Sequence, residues 1–181
     1  MTATTFPTYT AETAPESARS RVERVTAQLG FTPAAVGRMA GSPELLATFL
    51  QANGYFERCS LTALQREVVI MTVARRHGCH LCLAMHTAAL HRLGGDEALI
   101  AALRDGTAVT DVQLEALRTF TLTVMDRHGA VEAEAIDALL AAGYERRHAL
   151  DVVLGIGVYT LSTYANRLTE APVDEAFQAF A

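Results

Sequence analysis

Two cysteines, Cys79 and Cys82, stand three residues apart in the run Gly78-Cys79-His80-Leu81-Cys82, and the 181-residue chain has only one other. Residues three apart on a helix share a face, so these sulfurs can close and reopen a disulfide without unfolding the chain. Gly78 interrupts the helix before them and makes the pair the start of a new one. A helix start presents unpaired N–H groups and the positive end of the macrodipole, and both favour thiolate over thiol. His86 follows Cys82 by four residues, one turn along the same face, as a proton acceptor. Glu67 lies on the preceding helix beside the apolar run 68–73, where an unpaired carboxylate would be costly to bury. If the two helices pack as a hairpin, that carboxylate orients His86 as an acid orients histidine in a triad. The chemistry on offer is thiol–disulfide exchange with a local proton relay. His80, inside the CxxC loop, is a secondary candidate for tuning the pair.

Plainer readings exist for each of these residues. Glu67, Cys79, Cys82 and His86 are all acceptable zinc ligands, but a closed zinc site draws on four ligands and the chain has no second CxxC, so no metal is expected. Cys59 has no nearby cysteine and reads as a small buried residue, and His77 as a cation at a helix end. Phe120, Tyr159 and Tyr164 fall at helical spacing among aliphatics and read as core or subunit contact; no bound cofactor is expected.

The elements that must position this chemistry are helices. Ala, Leu, Glu and Arg dominate the segments between Asp, Pro and Gly punctuation, and β-branched alternation is scarce. The spacing predicts helices over 16–29, 33–39, 43–52, 61–76, 79–93, 96–103, from 110 or 111 to about 128, 132–142 and 145–168, with a short tail around 174–180. The apolar face of 61–76 is so wide that deep burial is implied. One helical domain over 16–181, with its core in 45–168, follows a flexible stretch 1–15.

Composition excludes several classes of function. The net charge of −5 comes from mixed signs, with no basic block to neutralise phosphates, so nucleic-acid binding is not expected. The most apolar stretch, 149–165, is too short to cross a membrane and carries Asp151; it reads as a buried or interface helix. The N-terminus lacks a basic start followed by an apolar run, which reads as cytoplasmic.

Glu67, eleven residues, Cys79-x-x-Cys82, three residues and His86 together resemble the motif of the alkyl hydroperoxidase D (AhpD) proteins in the carboxymuconolactone decarboxylase-like superfamily. The resemblance is densest over 61–93 and weaker through Asn166 and Arg167, which look like the family's closing helix. It implies an AhpD-like all-α bundle assembled as trimers or hexamers. It implies a thiol hydroperoxidase in which Cys82 is peroxidatic, Cys79 resolves it, and Glu67 and His86 relay protons. Organic hydroperoxides are the implied substrates, and a dithiol, thioredoxin-like or lipoyl-bearing, the implied reductant. The best-studied members carry histidine directly before the second cysteine; here Leu81 stands there and His80 one place earlier. Two rival functions remain open at this point. One is lactone decarboxylation, whose known enzymes do not rely on a cysteine pair, and the other is a non-enzymatic oxidant-sensing oligomer.

Overall fold

The computed structural model describes residues 6–181. Nine α-helices occur among the described residues: α1 (Glu16–Leu29), α2 (Ala34–Met39), α3 (Pro43–Phe56), α4 (Ala63–His77), α5 (His80–Arg92), α6 (Glu97–Asp105), α7 (Val112–Asp126), α8 (Ala133–Ala141) and α9 (Arg146–Leu168). A 3₁₀ segment, Glu175–Phe180, closes the chain, and no strand is present among the described residues. The expected all-α architecture is therefore observed.

Local chemistry sets the boundaries. Asp96 and Asp111 accept the N–H groups of Leu99 and Leu114 and cap α6 and α7. Thr62 and Gln65 form a reciprocal capping box at the start of α4, a signal the sequence reading passed over. Helix α3 runs about a turn past its expected end at 52. Its last residue, Phe56, is 1% exposed and packs edge-on against Tyr159, and that burial carries the helix through Gly54.

Helix α4 is the central element, packed on α5, α6, α7 and α9. Seven consecutive residues, Val68 to Ala74, are buried, so the helix is apolar on every side as its sequence implied. Its neighbour α9 approaches closely at Gly155, where a Cβ would meet Phe56 Cζ at 2.7 Å and Val69 Cγ1 at 2.9 Å. Asp151, which interrupts the apolar run of α9, accepts the backbone N–H and the hydroxyl of Ser60 and so fixes the chain just ahead of α4.

Two expectations change. The first five residues of the supposedly flexible stretch lie outside the described residues, but part of the remainder is bound. The Tyr9 N–H donates to Gly37 O at 3.1 Å and Ala14 is 2% exposed, so the segment lies against α2. His77 is no helix-end cation. Its Nδ1 hydrogen-bonds Thr163 Oγ1 at 2.8 Å, and burial, reinforced by the Arg167 and Arg76 charges, pushes its pKa down. It is a neutral pin between α4 and α9.

Candidate active site

Gly78, at φ +66°, takes the left-handed conformation that ends α4 and turns the chain back into α5. That hairpin brings Glu67 and His86 together: Oε2 and Nδ1 are 2.8 Å apart, with the side chains 13% and 17% exposed. The carboxylate fixes a proton on Nδ1 and leaves Nε2 as the imidazole's other working atom. The Tyr159 ring meets His86 edge-on at 5.2 Å, and its hydroxyl donates to Asn53 Oδ1 at 3.1 Å. Burial, followed by the negative charges of Glu67 and Cys82, holds the Tyr159 phenol well above its ordinary pKa, so it stays neutral.

Cys79 is the N-cap of α5 and Cys82 the third residue of that helix. Their sulfurs are 2.8 Å apart, both are free thiols, and both side chains are buried. A disulfide is ~2.05 Å long, so closure moves the sulfurs together by ~0.75 Å in total. The Cys82 backbone N–H donates to Cys79 Sγ at 3.4 Å, and the two sulfurs share a hydrogen bond across their 2.8 Å contact. The pair's pKa values therefore part. The hydrogen bond with Cys82 pulls Cys79 down to about 7, helped by the backbone N–H, Asn166 and the charge of His86 against the opposing effect of burial. Cys82 is pushed up, first by that same hydrogen bond and then by burial. The helix start thus favours ionisation as its sequence suggested, but at Cys79 rather than at Cys82.

Two further residues reach the sulfurs from α9. Asn166 Nδ2 lies 3.4 Å from Cys82 Sγ and 4.0 Å from Cys79 Sγ, and the Ser162 hydroxyl also hydrogen-bonds Cys82. Asn166 is 3% exposed, and its Oδ1 is buried without a hydrogen-bond partner. The sequence reading passed near Asn166 but gave it no role. An amide and a hydroxyl four residues apart on one face of an apolar helix were the available signal. Ser162 and Tyr159 were missed as site residues because they belong to the core pattern.

The structure gathers Glu67 with His86 and Cys79 with Cys82. His80 does not join them; it is exposed at the rim, while Leu81 is 2% exposed in the core. Among the described residues, no three His, Cys, Asp or Glu side chains are grouped as ligands of one ion. Cys59 stands apart, half-buried, its thiol pKa raised by burial.

Two cavities flank the site. The larger, about 490 Å³, is mostly walled by apolar side chains including Phe56, Ile70, Met85 and Phe177, with Glu67, His86 and Tyr159 at its floor. The smaller, about 230 Å³, lies between the start of α5 and the end of α9 and includes Cys79 and Asn166 in its wall.

Residues 42–123 match the carboxymuconolactone decarboxylase family. No curated protein matches the chain. Among solved structures, the chain is similar to the alkylhydroperoxidase AhpD core, a peroxidase-related protein, of Ralstonia eutropha JMP134. The TM-score is 0.84 and the identity 19%, over 95% of this chain and 93% of that one. A peroxidase-related protein of Silicibacter sp. TM1040 aligns with a TM-score of 0.80 and 20% identity, over 96% and 92% of the two chains. The debrominase Bmp8, solved as a cysteine-to-alanine variant with 2,3,4-tribromopyrrole, aligns at 0.77 and 14% identity, over 99% and 96%. The match to the carboxymuconolactone decarboxylase family covers residues 42–123, and the likeness in fold to these solved structures runs through nearly the whole chain.

Proposed function

We propose that the protein is a thiol-dependent reductase of organic hydroperoxides. The observation that carries this reading is two buried free thiols 2.8 Å apart at a helix start, on the helix that also presents a hydrogen-bonded Glu67–His86 pair. The substrate enters the apolar cavity with its peroxide group toward His86. Cys82 gives its proton to the Cys79 thiolate 2.8 Å away, with His86 carrying the proton that Cys79 released, and attacks the distal peroxide oxygen. The S–O bond forms, the O–O bond breaks, and the departing alkoxide takes the proton back from His86 as alcohol. Asn166 and Ser162 donate to Cys82 and steady it while it is negative. Cys79 then attacks the sulfenic sulfur, hydroxide leaves as water with the thiol's proton, and the disulfide closes. Per turnover, two thiols and one hydroperoxide give one disulfide, one alcohol and one water. A dithiol restores the pair, and no metal or organic cofactor takes part.

The exposed apolar residues Leu150, Val153, Tyr164 and Leu168 of α9 support a working homo-oligomer, a trimer or hexamer. The activity is tested by following cumene hydroperoxide consumption with dithiothreitol in excess. Many turnovers are expected for the native chain and loss of turnover in both Cys82→Ser and Cys79→Ser. Undiminished consumption in Cys82→Ser would reject the assignment. A single turnover in the native chain would leave an oxidant sensor instead.

A further inference from the structure

Two cavities, one walled in part by Cys79 and the other by His86, have no wall residue in common. The larger one includes Glu67, His86 and Tyr159 in its wall and neither cysteine. The smaller one is formed by Gly78, Cys79, Leu81, Asn166 and Ala171, with His80, Arg167 and Glu170 also lining it, and includes Cys79 but not Cys82. Asn166 also lines this cavity; its Nδ2 is engaged with the sulfurs, and its Oδ1 is buried without a hydrogen-bond partner. An unpaired buried acceptor next to a redox sulfur is a ready partner for an arriving S–H donor.

We infer that the smaller cavity is a separate door for the reductant, through which a thiol on a narrow, flexible molecule attacks Cys79 of the disulfide while Asn166 receives it. This rests on the thiol-redox reading of the pair and adds to it which sulfur is attacked and from which side. The size of the cavity selects the occupant: about 230 Å³ admits a small dithiol and not the face of a folded protein. The incoming thiol gives up its proton to solvent and its sulfur bonds to Cys79 Sγ. The Cys79–Cys82 bond breaks, and its electron pair leaves on Cys82, which takes up a proton. The reductant's second thiol, deprotonated in turn, attacks its own sulfur in the mixed disulfide and expels Cys79. The reductant departs as a disulfide, and two cysteine thiols replace one disulfide bond.

Two doors let each half-reaction be blocked alone. Ala171→Phe fills the smaller cavity, and Ala89→Phe, on the larger cavity's wall, narrows the other. The disulfide is made with diamide, so reduction by dithiothreitol is measured whether or not the protein consumes hydroperoxide. Ala171→Phe is expected to slow that reduction by about tenfold or more, as exchange rates follow access to the attacked sulfur. It should leave single-turnover oxidation by cumene hydroperoxide unchanged, and Ala89→Phe should do the reverse. Reduction at the native rate in a folded Ala171→Phe variant overturns the proposal. The native chain gives a measurement that does not depend on a variant folding. The diamide-oxidised protein is mixed with 2-mercaptoethanol, quenched with N-ethylmaleimide and mapped by fragmentation. An adduct on Cys79 supports the second door, and an adduct on Cys82 refutes it. Absence of hydroperoxide consumption would sink the peroxidase reading while leaving both of these measurements informative.

Discussion

Replacing Glu67 tests the relay most directly, because the structure sets the size of the effect. The Glu67–His86 contact is 2.8 Å long between side chains 13% and 17% exposed, so solvent screens it only partly. A hydrogen bond to a charged group in such a setting contributes about 1.5–3 kcal/mol, and a neutral one about half that. Gln at position 67 still accepts from the His86 Nδ1–H but offers no charge to the imidazolium that forms as the thiol pair gives up its proton. The loss is then about 0.75–1.5 kcal/mol of transition-state stabilisation, or about fourfold to tenfold in rate. Ala at 67 removes the bond entirely, and the oxidation rate should fall by about tenfold to a hundredfold. The assay is stopped-flow mixing of reduced protein with cumene hydroperoxide, followed by alkylation to count the remaining thiols, with circular dichroism to confirm that each variant is folded. The graded order native, Gln, Ala is the expected result. A Glu67→Ala variant that oxidises at the native rate would show that the carboxylate has no part in the step and refute the relay.

Iodoacetamide labelling of the reduced chain, read by mass spectrometry, should show Cys79 titrating with a midpoint near pH 7 and Cys82 resisting labelling well above that. At pH 7 about half of Cys79 is ionised, against about one per cent of an ordinary thiol. Because the folded-state pKa of Cys79 is lowered, its contribution to stability is present above its unfolded value and lost as pH falls from about 9 through about 7. Asn166→Ala, which removes one of the donors, should move the labelling midpoint upward, and an unmoved midpoint would leave Asn166 without that role. Gly155→Ala drives a methyl to within 2.7 Å of the Phe56 ring, and overpacking of this kind costs about 1–3 kcal/mol, a fall of about 2–12 °C in Tm by calorimetry. Tyr159→Phe keeps the ring against His86 and loses only the bond to Asn53, so oxidation should stay within about twofold of native, while Tyr159→Leu removes the ring and should slow it further. A tenfold loss in the Phe variant would mean that the hydroxyl itself enters the chemistry.

The helices were legible because their ends are written in single residues. Asp96, Asp111, Gly30 and Gly143 mark boundaries within a residue or two of where the chain turns. The grouping of Glu67 with His86 was legible too, since a carboxylate among buried aliphatics needs a partner and the Gly78 turn leaves few to choose from. Asn166 and Ser162 were less so. They lie eighty or more residues from the cysteines in sequence, and only the packing of α9 on α4, set by Gly155 meeting Phe56 and Val69, brings that face over the pair. The bound segment around Tyr9 escaped notice for a similar reason, as its partner is a backbone carbonyl and leaves no trace in residue type.

Helix capping contributes to the division of labour between the two sulfurs, alongside their own hydrogen bond, Asn166 and His86. At an ordinary helix start the N-cap side chain accepts the N–H of the third helical residue. Cys79 and Cys82 occupy those two positions, and Cys79 Sγ accepts the Cys82 N–H as a serine or threonine oxygen would. The CxxC spacing thus writes an N-cap in sulfur, while the Cys79 N–H donates to Ala74 O at 3.0 Å. A thiolate accepts such bonds more strongly than a disulfide sulfur does, so oxidation weakens the cap of α5 as it closes the S–S bond. The loosened first turn is the same stretch, Cys79 to Leu81, that lines the smaller cavity, and in the oxidised chain that wall is the one a reductant must pass.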